Sequence, residues 1–224
     1  MRVLLVEDDA SLREGMGELI SELAEVHAVS TGEDAVAALQ AERFVLVITD
    51  LRISGGEQGG RTVVEAARQR QQPVAVVSAA TPEEVTQAVL PHVADAVLLK
   101  PFQIDDIVGL VERFIALRQD VARLATQGGH PPASAWASRG THVRLAREPE
   151  PPAVWVSLTA GADVDWTFHP TSEGAGVQVV EGSLHVEGVT YAAPESLFLG
   201  AGQRPRVRSP EGCLAVVVGL KGQG

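Results

Sequence analysis

The chain has a single cysteine, Cys213, which excludes an internal disulfide framework and suits a reducing cytoplasm. Its run, Cys213-Leu214-Ala215-Val216-Val217-Val218, is apolar, so the thiol reads as a small buried hydrophobe rather than a reactive group. No apolar run nears membrane-spanning length although 45% of the residues are hydrophobic, which describes a soluble globular protein without a membrane role. The N-terminus opens directly as a core strand, with no signal-peptide pattern. Basic residues are short as well: 18 Lys and Arg stand against 29 Asp and Glu, a formal charge of −11. Nonspecific nucleic-acid binding needs clustered Lys and Arg and is excluded on that ground. Residues 1–118 carry 19 acids and 10 bases and the remainder 10 and 8, so the acidity belongs to the first half. A DNA-binding output domain would reverse that balance.

What is present is a set of short apolar runs that end in polar residues. Phe44-Val45-Leu46-Val47-Ile48-Thr49-Asp50 reads as a strand buried on both faces, the kind found in parallel sheets, with a carboxylate where the chain leaves the sheet. Ligands bind just beyond the carboxyl ends of such strands. Met1-Arg2-Val3-Leu4-Leu5-Val6 is a second buried strand and runs into Glu7-Asp8-Asp9. Three acids in a row are costly beside a core unless a cation sits among them. They read either as a solvated loop with a helix N-cap or, through Asp8, Asp9 and Asp50, as a hard-oxygen site suited to Mg²⁺. Val74-Ala75-Val76-Val77 ends in Ser78, and Ala96-Val97-Leu98-Leu99 ends in Lys100.

In order and spacing, Leu5-Val6-Glu7-Asp8-Asp9, Val47-Ile48-Thr49-Asp50, Val76-Val77-Ser78-Ala79 and Leu99-Lys100-Pro101-Phe102 resemble the receiver domain of two-component response regulators, over residues 1–117. The resemblance implies that Asp50 accepts a phosphoryl group and that Asp8 and Asp9 help hold Mg²⁺, with the Arg52 backbone carbonyl completing the protein ligands. It further implies that Ser78 bonds a phosphoryl oxygen, that Lys100 pairs with it, and that the Lys100–Pro101 bond is cis. The chemistry is consistent, because a carboxylate attacks an anionic phosphoryl donor only where cations offset the repulsion. Two positions depart from the family. Val97 stands where receivers commonly place an aromatic residue, three before the lysine. Ser54 replaces the usual proline, within a long connection, Ser54-Gly55-Gly56-Glu57-Gln58-Gly59-Gly60.

The intervening segments predict helices. Ser11 begins one with Leu12, Met16, Leu19, Ile20 and Leu23 at three- and four-residue steps. Thr31 caps a second, residues 61–71 form a third, and Thr81-Pro82-Glu83-Glu84 opens a fourth. His27, on a short strand between the first two, reads as a surface side chain. Alternation of strands and helices predicts a doubly wound five-stranded parallel sheet. The fifth helix follows Pro101 and carries Ile107, Leu110, Phe114, Leu117, Val121 and Leu124 in alternating steps of three and four. It is either a long surface helix covering its own domain or one side of a two-helix homodimer contact. Residues 119–140 form a helix extension and a Gly/Pro linker.

From residue 141 to 224 the period shortens. Strand-like runs at 141–145, 154–158, 165–168, 177–180, 183–186, 197–199, 206–208 and 214–218 are separated by Gly, Pro and Glu-Gly turns, which predicts a small all-β barrel or sandwich. Trp166-Thr167-Phe168-His169-Pro170, Val177-Gln178-Val179-Val180-Glu181-Gly182-Ser183-Leu184 and Pro194-Glu195-Ser196-Leu197-Phe198-Leu199-Gly200-Ala201-Gly202 resemble the two cupin motifs. Metal cupins place two His and a Glu in the first motif and a His in the second. Here His169 fills one slot, while Thr171, Ala175 and Pro205 occupy the others. One imidazole does not hold a transition metal against water, so the half reads as a degenerate cupin. His142, His169 and His185 read as surface or pocket residues. Trp136, Trp155 and Trp166 either line an apolar pocket or, as favoured here, anchor the core.

The expected function is a phosphorylation-regulated cytoplasmic signalling protein. A sensor histidine kinase or phosphotransfer protein donates to Asp50, and the cupin-like half binds a protein or small molecule rather than nucleic acid. No enzymatic activity is expected beyond the receiver's own phosphorylation and dephosphorylation. Two other readings stay open: a metal cupin enzyme gated by the receiver, and a dimeric scaffold in which phosphorylation is vestigial.

Overall fold

Five of the apolar runs become the strands β1 (Arg2–Val6), β2 (Glu25–Val29), β3 (Leu46–Asp50), β4 (Val74–Ser78) and β5 (Ala96–Leu99). They pair in parallel in the order β2-β1-β3-β4-β5. The computed structural model describes residues 1–53, 59–127 and 129–222. Most of the departures just noted in the connection after Asp50, Ser54 included, lie outside the described residues. Two compact units result, Met1–Ile115 and Ala116–Gly224.

In the first unit, local chemistry starts each helix where the sequence predicts it, to within two residues. These are α1 (Ala10–Ser21), α2 (Gly32–Ala41), α3 (Gly59–Gln69), α4 (Pro82–Val89) and α5 (Ile104–Gln127). Asp9 caps α1 and Thr31 caps α2. Thr81 and Glu84 form a full capping box on α4, with Pro82 in its first turn. A core of Leu4, Val6, Leu39, Val47, Val64 and Val76 packs between sheet and helices. Val97, half-buried, lies against it. The parallel register sets the carboxyl ends of β1, β3, β4 and β5 side by side, with Asp50 opposite Val77 and Ser78 opposite Leu99. His27 is indeed partly exposed, but it has an acidic neighbour that the sequence pattern did not suggest: its Nδ1 lies 2.9 Å from the Glu42 carboxylate.

The second unit is all-β apart from the C-terminal half of α5 and one short 3₁₀ turn, Ala133–Ala135, among the described residues. Its strands are β6 (Ala137–Ser138), β7 (Val143–Glu148), β8 (Ala153–Leu158), β9 (Ala162–Asp165), β10 (Gly174–Val186), β11 (Val189–Ala192), β12 (Ser196–Gly200), β13 (Arg206–Ser209) and β14 (Cys213–Gly219). They form one nine-stranded sheet whose path runs β6-β7-β8-β14-β10-β13-β9, with β11 and β12 also on β10. The core holds Trp166, Phe168, Val177, Leu184, Tyr191 and Val217. Cys213 belongs to it, and burial pushes its thiol up to about 12.

Three expectations are corrected here. The runs at 177–180 and 183–186 are one 13-residue strand, because a register shift between Val179 and Glu181 absorbs Val180. Gly182 marks a close approach and not a turn: a Cβ there would meet the Gly212 carbonyl at 2.1 Å. The strand expected at 165–168 is shifted back to Ala162–Asp165, since Trp166 and Phe168 turn into the core and meet edge to face at 5.0 Å. The two compact units divide between Ile115 and Ala116, so the C-terminal half of α5 goes with the β unit.

The C-terminal half of α5 packs on the β unit at Gly176 on β10. Its neighbours Ala175 and Val177 face the core, so Gly176 faces the opposite side of the sheet. A Cβ there would meet Val121 Cγ2 at 2.8 Å and Leu117 Cγ at 3.3 Å. The missing side chain thus seats α5 on the sheet. Every seam residue from Ile107 to Leu124 is buried within the chain. The two-helix homodimer contact expected from that seam loses its apolar surface for this reason.

Candidate functional site

The site is built from the ends of β1, β3 and β5. Val6 closes β1 inside the core, and Glu7, the next residue, is only 3% exposed. Asp50 is the last residue of β3, and Lys100 follows Leu99, the last of β5. The Lys100 Nζ donates to Glu7 Oε2 at 2.9 Å and to Asp50 Oδ2 at 2.5 Å. The Lys100–Pro101 peptide is cis, as the resemblance implies. Each carboxylate's other oxygen accepts a backbone N–H: Glu7 Oε1 from Asp9 at 3.2 Å, and Asp50 Oδ1 from Arg52 at 2.9 Å. The acidic loop is held from beneath by Arg13, whose guanidinium donates to the carbonyls of Glu7 at 2.7 Å and Asp8 at 3.1 Å.

The electrostatics are those of a site short of positive charge. Burial pushes the Glu7 carboxyl up, and the charge of Asp50 adds to this against the pull of Lys100. Burial disfavours the Lys100 ammonium too, yet its bonds to Asp50 and Glu7 outweigh that, and Lys100 titrates above its ordinary range. One ammonium is therefore shared by two carboxylates that face each other.

The remaining expected residues divide. Ser78, 2% exposed, ends β4 between Asp50 and Lys100 and accepts the Lys100 N–H on its carbonyl at 2.8 Å. Its hydroxyl oxygen accepts from the Ala80 N–H at 3.1 Å, so it is tied to its own loop. Arg52 is in the turn after β3 with its N–H on Asp50. Asp9 is exposed, and one of its carboxylate oxygens accepts from the Leu12 N–H at 2.8 Å as the α1 cap. Glu7, which was not among the expected ligands, is the acid that faces Lys100. The signal for the cap was in the sequence, since Asp9-Ala10-Ser11-Leu12 is an N-cap pattern that engages the third acid.

The family's Mg²⁺ can be tested against this donor set. Glu7 Oε2 and Asp50 Oδ2 lie no more than about 5.4 Å apart, the sum of their distances to Lys100 Nζ. Bonds of about 2.1 Å place ligand oxygens of Mg²⁺ about 3–4 Å apart, a separation that lies within that bound. Among the described residues no three acid, His or Cys side chains already converge. The residues fit Mg²⁺ by donor type, as carboxylate and carbonyl oxygens. Gly60 keeps the turn after Asp50 close: a Cβ there would lie 2.3 Å from the Asp50 carbonyl oxygen and 2.6 Å from Leu51 Cα.

The histidines of the second unit do not assemble into a site. His142 pairs with Thr159 and His185 with Thr190, both on the surface. His169 Nε2 donates to the Gln203 carbonyl at 2.7 Å. Ala175, in the expected glutamate slot, is fully buried in the core, and the Thr171 hydroxyl bonds the Leu220 carbonyl. Trp155 and Trp166 are core anchors at 1% and 0% exposure, whereas Trp136 is half-buried beneath the Arg144 guanidinium at 5.7 Å.

Comparison with known proteins agrees with the first unit. Residues 3–112 match the response regulator receiver domain. The transcriptional regulatory protein PdtaR of Mycobacterium tuberculosis is 27% identical over 125 residues, 55% of this chain and 60% of its own. The chain therefore spans under two thirds of that relative's length. Among solved structures, the receiver domain of the sensor histidine kinase PA1611 from Pseudomonas aeruginosa PAO1, with a magnesium ion coordinated in its active-site cleft, is 22% identical. It covers 51% of this chain and 97% of its own, with a TM-score of 0.47. The chemotaxis response regulator CheY4 of Vibrio cholerae is 25% identical over 50% of this chain and 97% of its own, with a TM-score of 0.46. The N-terminal half of the chain is a response regulator receiver domain.

Proposed function

We propose that this receiver-bearing chain is a response regulator whose Asp50 accepts a phosphoryl group from a sensor histidine kinase or phosphotransfer protein and whose β unit carries the output. The observation that carries the reading is the Lys100 ammonium held between Glu7 and Asp50. That cation stands where a phosphoryl group on Asp50 would place its oxygens. An Asp50 carboxylate oxygen bonds to phosphorus as the bond to the donor's leaving nitrogen or oxygen breaks. Lys100 then transfers its hydrogen bond from the carboxylate to a phosphoryl oxygen. Ser78 supplies a second bond once its hydroxyl leaves Ala80, which draws the β4 loop toward the modified acid. Glu7, Asp8, Asp50 and the Arg52 carbonyl would hold Mg²⁺, which supplies charge neutralisation for the incoming anion.

The chain's own catalysis is limited to gaining and losing this phosphoryl group. The β unit binds a small ligand or a protein partner. Its 10 acids and 8 bases beyond residue 118 do not favour nucleic acid. The setting is the cytoplasm, where the phosphoryl donors reside.

The test is intact-mass analysis of the full chain after incubation with acetyl phosphate and Mg²⁺. One phosphoryl adduct forms on the wild type and none on Asp50→Asn. If no adduct forms with acetyl phosphate, phosphoramidate or carbamoyl phosphate, the reading fails.

A further inference from the structure

The β unit is a sheet that does not close. Its strand path ends in β6 at one edge and β9 at the other. Between the two edges lies a cavity of about 310 Å³, at the lower end of the roughly 300–1,000 Å³ typical of small-molecule sites. Its floor is apolar: Val143, Leu145 and Val154 are inner-face core residues, and Phe168 closes the end. Its rim is charged, with Arg139 and Arg147 on one side and Asp165 on the other.

Arg147 is the informative residue. Positions 143, 145 and 147 of β7 share one face. The first two are buried in the core, so the inward row of this strand ends in a cation. Neither Arg147 nor Arg139 has a side-chain hydrogen-bond or ion-pair partner among the described residues. Asp165 offsets only one of these two charges, and Arg206, across from it in the β13–β9 ladder, is bound through two nitrogens to Asp163. Taken with Arg139 and Arg147, Asp165 leaves the rim with a net charge of +1.

We propose that this gap binds a small apolar monocarboxylate. The carboxylate is held by Arg139 and Arg147, and the hydrocarbon rests on the Val143–Leu145–Val154 floor. A single negative charge matches the rim. A second one would meet Asp165. The proposal rests on the reading that the β unit takes a ligand and names that ligand's class.

The experiment is calorimetric titration of the full-length, unphosphorylated protein with octanoate and with benzoate, and with the neutral isosteres 1-octanol and benzyl alcohol. At least one carboxylate binds with a Kd of about 0.1–1 mM, as expected for a ligand of this size. Arg147→Gln and Arg139→Gln each weaken it about tenfold or more, the loss of one charge-assisted contact. Circular dichroism confirms the fold of each variant. If Arg147→Gln does not fold, Arg139→Gln decides. The proposal is overturned if neither carboxylate saturates up to about 10 mM, if the alcohols bind as well as the acids, or if the folded arginine variants bind unchanged. Self-association of Arg147→Gln with unaltered carboxylate binding would overturn it as well, by showing that the arginine only guards a strand edge. Adduct formation on Asp50 is measured on the same samples. A loss of carboxylate binding with the adduct intact sinks this proposal alone, and the reverse result sinks only the phosphorylation reading.

Discussion

Glu7→Gln should cost the receiver its divalent cation while Asp9→Asn should not. Glu7 is 3% exposed and its Oε2 is 2.9 Å from Lys100 Nζ, on the same ammonium as Asp50. Removing its charge leaves shape and volume almost unchanged. One charged contact of this kind is worth about 1.5–3 kcal/mol, so the Mg²⁺ Kd should rise about 10- to 150-fold. Asp9 holds the Leu12 N–H, and asparagine caps a helix nearly as well as aspartate. Asp9→Asn should therefore leave the Mg²⁺ Kd within about threefold and stability within about 0.5 kcal/mol. Calorimetric titration with Mg²⁺, paired with the rate of acetyl phosphate adduct formation, reads both. Equal losses in the two variants, or a loss confined to Asp9→Asn, would refute the assignment of Glu7 over Asp9.

The pH dependence follows from the same residue. The folded pKa of Glu7 lies above its unfolded value, so the folded state binds the extra proton between the two values. Its contribution to stability is then lost as pH rises through the folded value. Mg²⁺ competes with that proton, so the thermal shift it produces should grow as pH rises through the same window, and a flat profile would contradict this. Lys100→Gln leaves Glu7 and Asp50 facing each other without a cation. With the lysine 24% exposed, the loss should be about 1–3 kcal/mol, partly restored by Mg²⁺ and visible in urea unfolding. Gly60→Ala puts a Cβ against the Asp50 and Leu51 backbone. It should destabilise by about 1–3 kcal/mol and slow adduct formation, which mass analysis after fixed times would show. Gly176→Val pushes into Val121 and Leu117. It should lower the thermal midpoint of the β unit, and an unchanged midpoint would mean that α5 does not depend on that seat.

The sequence by itself determined the receiver half almost completely. Its strands are continuous apolar runs, its helices begin at Asp9, Thr31 and Thr81, and the polar residues at strand ends are fixed by chain position. Parallel pairing then brings Asp50, Ser78 and Lys100 to one edge with no further information. The tertiary structure decided matters that depend on pairing between distant segments. The Asp9 cap is local, but the meeting of Glu7 with Lys100 needs β1 and β5 to end at one edge of the sheet. The seam of α5 could be read as a dimer contact until Gly176, more than fifty residues away, showed what it packs on. In the β half, Gly182 looked like a turn because a glycine's φ freedom and its allowance for close approach leave the same mark in a sequence. Gly182 uses both, with φ at +71° and an approach to the Gly212 carbonyl, and its place inside β10 is what rules out the turn. Arg147 gains its place only in the fold, where it lines one cavity with Asp165 and Phe168. Short-range hydrogen bonds and hydrophobic period are written locally, whereas the gap between distant strands and the partner of a buried face are properties of the folded chain.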